Sequence, residues 1–256
     1  MKKYAYVLNA PFHNETASDN PYPDKIWVSW LQGEENAPAL VKKCIASIRK
    51  HSAGREVIVI TNENIAQYVT FPDFILRKKA KGRISNTHFS DLLRIALLSQ
   101  YGGIWIDSTV YLTAPLPDYI LNAPLFCYKT SHLSPGKIKV SSWFIAAKPH
   151  HEIIVRTQAI LWEYWKRNNR LCHYYVFHLF FSLVIDTLPH LQQQWHDMPY
   201  FNNVNPHVLL LELPEPFKPE RWEQIKSISS IHKLTYKISP EHAKRKDTFL
   251  QMLLNS

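Results

Sequence analysis

The stretch at residues 86–113, NTHFSDLLRIALLSQYGGIWIDSTVYLT, sets the tightest limit on what this chain can fold into. Leu92, Leu93, Ile95, Ala96, Leu97 and Leu98 make residues 90–101 apolar nearly all round, the composition of a helix buried in a protein interior. Thr87 or Ser85 is its expected N-cap. Gly102 and Gly103, two of only six glycines, then supply the positive φ that ends the helix and turns the chain into the strand Ile104-Trp105-Ile106. Asp107 follows at once. A carboxylate abutting a buried strand is costly unless it is paired, hydrogen-bonded or metal-bound. Asp91 and Arg94, spaced i, i+3, share one face of the first helical turn, either as a structural ion pair or as part of a site.

The flanks extend this pattern into an α/β chain. Residues 1–24, broken by Pro11, Pro21 and Pro23, are expected as an irregular leader or edge strand. Residues 25–30 read as a strand on which Trp27 and Trp30 face opposite ways, and residues 39–51 as an amphipathic helix entered at Pro38. The β-branched run at residues 56–60 predicts a parallel strand buried on both faces. Its carboxyl end is polar, and ligands of open α/β sheets bind there, so Asn62 is a candidate ligand contact or, like Thr61, a helix cap. The basic run Arg77, Lys78, Lys79 and Lys81 reads as a solvated face or a phosphate site. Strands are expected at 110–117, 123–128 and 140–147, helices at 151–166 and 171–188, a polar, turn-rich segment at 192–206, and a short helix or loop at 222–231. Residues 242–254 form a basic-then-apolar tail, suited either to core packing or to a membrane surface.

Composition narrows the function classes. With 46% hydrophobic residues the chain can fill a core without staples, and the three scattered cysteines suggest neither a disulfide framework nor a zinc site. No leader pattern opens the chain and no run approaches the roughly 20 apolar residues of a membrane span, so a soluble or peripheral protein is expected, and the unpaired cysteines make a reducing cytoplasm its expected location. The net charge of +9 favours an anionic partner: nucleic acid, a phosphorylated substrate or an anionic membrane. The basic residues are scattered and no nucleic-acid-binding motif occurs, so no specific nucleic acid is expected. Phosphate-loop, dinucleotide and nucleophile-elbow signatures are absent as well.

The composite Ser90-Asp91-x-x-Arg94, then Tyr101-Gly102-Gly103 and Asp107, resembles the signature of family 32 glycosyltransferases, especially their bacterial capsular polysaccharide synthesis branch. The resemblance runs from residue 24 to 237 through KIWVSWLQGEENAP, SSWFIAAKP, EYWKRNN and HKLTYK. It implies a GT-A type, Rossmann-like fold with a mixed, mostly parallel sheet flanked by helices. The single domain, 1–256, would have a nucleotide-sugar half at 24–115, an acceptor half at 116–237 and a basic tail at 238–256.

The resemblance also implies a retaining enzyme that moves a hexose from a nucleoside-diphosphate donor, a UDP-sugar, to a growing capsular, exopolysaccharide or lipopolysaccharide-type glycan. That acceptor would be lipid-linked, at the inner face of the cell membrane, with peripheral attachment. By the same resemblance Asp91, Arg94 and Asp107 carry the chemistry at the donor, with Ser29, Trp30, Asn62, Ser90, Lys233 and Lys237 as further donor contacts. Mn²⁺ or Mg²⁺ would bind Asp107, Thr109 and His232, although Thr109 replaces the second carboxylate of an Asp-x-Asp motif. That replacement also admits a noncatalytic sugar-nucleotide or glycan binder. Trp143 is a candidate sugar-stacking residue or a core residue, and Tyr174, Tyr175 and His178 are packing residues or acceptor contacts.

Overall fold

The computed structural model describes residues 2–12, 24–131 and 136–256. A 3-10 helix, Lys2–Asn9, opens the chain where a leader or edge strand was expected; the rest of that leader, residues 13–23, lies outside the described residues. Then come β1 (Lys25–Ser29), α1 (Ala39–Lys50), β2 (Glu56–Ile60), α2 (Ile65–Tyr68), α3 (Asp73–Ala80), α4 (Asn86–Tyr101) and β3 (Gly103–Ile106). β4 (Val110–Leu112), α5 (Asp118–Leu121), β5 (Leu125–Lys129), β6 (Val140–Ala147), α6 (Glu152–Arg167), α7 (Val176–Thr187) and α8 (Pro189–Asp197) follow. The chain closes with α9 (Val208–Glu212), α10 (Pro219–Ile228), β7 (Ile231–Lys233), α11 (Pro240–Lys244) and α12 (Phe249–Asn255).

The main sheet has the order β2-β1-β3-β6-β5. β1 pairs in parallel with β2 and β3, and β6 runs antiparallel to both its neighbours, so every strand but β6 points the same way. This is the mixed, mostly parallel α/β sheet expected, and alternation along its strands builds a layer on each face. Trp27, Trp105, Cys127 and Ile145 face the layer of α4, α6 and α7. Ile26, Val28, Ile104, Ile106 and Phe144 face α1 and α5. β3 is buried at every position, which explains its unbroken apolar run.

Helix α4 starts at the Ser85 cap, whose hydroxyl accepts the His88 N–H at 3.3 Å. At its far end Gly102 and Gly103 take φ of 63° and 99°. A β-carbon on Gly103 would lie 2.7 Å from the Lys25 carbonyl and 2.9 Å from Trp27 Nε1, so glycine is required there for packing as well as for conformation.

Several local expectations are corrected. β2 is an edge strand with Glu56 exposed, because among the described residues no strand pairs on its outer side. The basic run ends α3, where Arg77 and Lys81 are exposed as a solvated face, but buried Lys78 departs from that reading and donates to the carbonyls of Lys166 at 3.3 Å and Asn168 at 2.9 Å, and to that of Trp165, at the carboxyl end of α6. The Lys78 charge found a helix terminus instead of solvent. Within the polar stretch, α8 forms because Pro189 suits its first turn and Leu191 and Trp195, spaced i, i+4, are buried. The tail docks into a third cluster, with Phe249, Leu250 and Leu253 against Leu40 and Cys44. Its apolar side is therefore core. Among the described residues no helix is long and apolar enough to cross a membrane.

Candidate active site

Asp107 sits just beyond the carboxyl end of β3, beside the carboxyl end of parallel β1, where an open sheet leaves a crevice. Its N–H still pairs with the Trp143 carbonyl of β6 at 2.9 Å. The chain then turns, Val110 N–H bonding the Asp107 carbonyl at 2.9 Å, and leaves the sheet as β4. β4 pairs antiparallel with β7 in a separate ribbon, in which Val110 stands opposite Lys233 and Tyr111 opposite His232. Leu234 N–H closes the ribbon on the Thr109 carbonyl at 2.8 Å.

The cleft so formed holds about 450 Å³, a size suited to a small organic ligand. Ser29, Trp30, Ser90, Arg94, Asp107, Thr109, Lys233 and Lys237 all line it, and Asp107 is the one carboxylate among the described lining residues. Trp30 meets Tyr236 edge to face at 5.4 Å, and its Nε1 has no partner among the described residues.

A chain of charges crosses the floor. Arg94 donates from Nη1 to Asp91 Oδ1 at 2.5 Å and from Nη2 to Asp107 Oδ1 at 3.2 Å. Trp105 Nε1 donates to the same Asp107 oxygen at 2.9 Å, as strand alternation allows for residues two apart. Lys233 Nζ lies 3.3 Å from Asp107 Oδ2 and donates to the Thr109 hydroxyl. The guanidinium also lies over the rings of Trp105 and Phe177, at 5.0 and 5.5 Å, which fixes it in a cation–π slot. Burial pushes the Asp91 carboxyl up to about 6, against the opposing pull of Arg94 and His88. Burial and then the Arg94 charge lower the nearby His178 to about 4, so it is neutral at physiological pH.

Three expected site residues lie elsewhere. Asp91 is buried beneath the cleft and holds Arg94 rather than lining the space. Asn62 is exposed outside it, its N–H bonded to the Leu31 carbonyl at 2.9 Å. His232 is wholly buried on the opposite side of β7, its Nε2 3.3 Å from the Thr113 hydroxyl, because neighbouring strand residues face opposite ways. Burial lowers it to about 4. Trp143 is core, stacked on Tyr128 at 4.7 Å. Tyr174 is 60% exposed and lines the cleft. Sequence reasoning missed Trp105 and Tyr236 as cleft residues; the two-residue period linking Trp105 to Asp107 was the available signal for the first.

A divalent metal does not fit this donor set. Among the described residues no three His, Cys, Asp or Glu side chains are grouped to hold one. Both oxygens of Asp107 already face cations, the Thr109 hydroxyl accepts from an ammonium, and His232 is turned away. Hard cations need several free oxygen ligands.

Residues 1–253 match the family of capsular polysaccharide synthesis proteins. The chain is 28% identical over 156 residues to the O-glycosyltransferase braB of Annulohypoxylon truncatum, a match covering 55% of this chain and 37% of that protein. It is 22% identical over 156 residues to the O-glycosyltransferase PaGT of Phomopsis amygdali, covering 55% of this chain and 38% of the relative. The matched region thus spans well under half the length of these relatives. Among solved structures, the PaToxG glycosyltransferase aligns with a TM-score of 0.46 at 13% identity, over 100% of this chain and 90% of that one. The galactosyltransferase LgtC, solved with donor and acceptor sugar analogs, aligns at 0.41 and 9% identity, over 90% of this chain and 94% of its own.

Proposed function

The chain belongs to the capsular polysaccharide synthesis protein family, and from that membership and the cleft we propose that it is a retaining glycosyltransferase. It moves a hexose from a nucleoside-diphosphate sugar, a UDP-sugar by family resemblance, to a hydroxyl of a growing surface glycan. The observation that carries this reading is Asp107 at the carboxyl end of the central strand, bracketed in one cleft by Arg94 and Lys233. A carboxylate suits sugar hydroxyls, and flanking cations suit a diphosphate.

In this reading Ser29 and Trp30 hold the nucleoside. Arg94 and Asp107 hold the donor sugar, while Lys233 and Lys237 take the diphosphate. The bond from C1 to the β-phosphate oxygen breaks with its electron pair going to that oxygen, where the lysine charges stabilise it. The acceptor hydroxyl bonds C1 on the same face and gives its proton to the departing phosphate. Asp107 is already tied to Arg94, Trp105 and Lys233, and no second carboxylate among the described lining residues is free to act as a nucleophile, which supports the front-face route. Membership of glycosyltransferase family 32 and a lipid-linked acceptor belong to this reading; the net charge of +9 suits an anionic surface.

The test is release of nucleoside diphosphate from a panel of nucleotide-sugars, with the wild type and Asp107→Ala compared by circular dichroism for folding. A turnover loss of roughly a hundredfold or more is expected for a group that acts at the transition state. Full activity in the folded variant overturns the assignment of Asp107.

A further inference from the structure

We infer that the Lys233 ammonium takes the place of a divalent metal in this cleft, so that nucleoside diphosphates bind, and their sugars transfer, without one. The inference rests on the donor-site reading above and adds to it the identity of the cation.

The geometry argues it from both sides. A metal ligated by Asp107 and Thr109 has to lie between their side-chain oxygens, and Lys233 Nζ already occupies that bridge, 3.3 Å from Asp107 Oδ2 and hydrogen-bonded to the Thr109 hydroxyl. Two cations cannot share so small a space without strong repulsion. The lysine is not a loose surface group. It is the last residue of β7, held opposite Val110 in the ribbon, and its side chain is only 19% exposed. Thr113 N–H on the Ser230 carbonyl at 3.0 Å and Leu234 N–H on the Thr109 carbonyl at 2.8 Å fix the ribbon on either side of it. The histidine expected in a metal shell, His232, is on the far face and fully buried.

An ammonium has three N–H donors. Thr109 takes one and Asp107 pairs with the charge at 3.3 Å, and among the described residues no other hydrogen-bond partner is present, which leaves an N–H for a diphosphate oxygen in the cleft. Thr109 then has a positive reason to be threonine. Its hydroxyl accepts from Lys233 without adding a second negative charge beside the phosphates. Arg94 balances the other oxygen of Asp107, and Lys237 lines the same cleft as a second cation.

The experiment is isothermal titration of the full chain with UDP and GDP, and with UMP as the control lacking a β-phosphate, in EDTA and again in Mn²⁺. Wild-type affinity for the diphosphate is expected to agree between the two conditions within about twofold, well under the effect of one charged contact. Lys233→Ala, checked for folding, is expected to bind diphosphate roughly tenfold or more weakly in EDTA and UMP nearly unchanged, with Lys233→Arg partly restoring affinity. Wild-type binding that needs Mn²⁺ overturns the inference while leaving the donor-site reading intact. So does a folded Lys233→Ala that binds diphosphate as tightly as wild type in EDTA. Failure of every nucleotide to bind in either condition overturns the donor-site reading itself, and the inference with it.

Discussion

His232 and Lys233 are adjacent in the chain and face opposite ways on β7: the lysine reaches Asp107 at 3.3 Å, while the histidine is buried behind it, 3.3 Å from Thr113. His232→Asn is therefore expected to lower thermal stability and to leave diphosphate affinity and the response to Mn²⁺ unchanged. Differential scanning fluorimetry beside nucleotide titration measures both. Loss of nucleotide binding in the folded variant would move His232 back into the site.

The same geometry predicts how a metal site could be installed. Thr109→Asp combined with Lys233→Ala removes the ammonium and supplies a second carboxylate next to Asp107. The double variant is expected to bind UDP only when Mn²⁺ is present, the two acids and the diphosphate together offering a hard cation enough oxygens. Titration in EDTA and Mn²⁺ reads the change, and equal binding in both conditions counts against it.

Among the described residues Arg94 is the cation in direct contact with the buried carboxylate of Asp91, which is 7% exposed. Arg94→Ala leaves that charge unpaired, and a loss of about 3–5 kcal/mol is expected in urea unfolding. Adding Asp91→Asn should recover part of the loss, because the stranded charge is gone. An additive or larger loss in the double variant would show that Arg94 stabilises the fold by other contacts, such as its seat on Trp105 and Phe177.

Acid sensitivity follows from three buried histidines. His151, His178 and His232 are each lowered by burial from an ordinary 6.5 to about 4, so the folded chain resists protonating them. The unfolded chain takes up those protons first as pH falls. The stability they contribute is thus complete above about 6.5 and is lost as pH drops through about 4. Asp91, raised by burial to about 6, works in the other direction, gaining stability on acidification, but it is one group against three. Urea midpoints between pH 7 and pH 4 should fall, and fall less steeply in His232→Asn.

The tail offers a further check. Leu253 is fully buried against the cluster that includes Leu40 and Cys44. Leu253→Ala is expected to cost roughly 2–5 kcal/mol in chemical unfolding. A surface or membrane-bound tail would show almost no change.

The features legible in the sequence were those set by local rules. The Ser85 cap, the Gly102-Gly103 stop, the buried β3 and the Asp107 at its end all follow from spacing and conformational preference within a few residues. Trp27 and Trp30 facing opposite ways followed from strand alternation. What could not be read was set by distant pairing. Nothing near residues 56–60 indicates that β2 lies at an edge, and nothing near Lys78 announces that the end of α6 awaits it. The resemblance of HKLTYK implied a histidine and two lysines near a diphosphate, but which of them faces Asp107 depends on the register of β7 against β4. A shift of one residue would have exchanged His232 and Lys233.

The ribbon of β4 and β7 also ties the cleft to the order in which the molecule is assembled. Lys233 and Thr109 are 124 positions apart, and the chain between them includes β5, β6 and the helices that follow. Contacts of such span are slow to form and weakly favoured until most of the fold exists. A chain folded short of β7 would leave Asp107 paired with Arg94 and Trp105 but without the ammonium on its other oxygen. On the proposed donor-site reading, nucleoside-diphosphate binding is expected to return with the slowest refolding phase, which stopped-flow refolding in the presence of UDP measures.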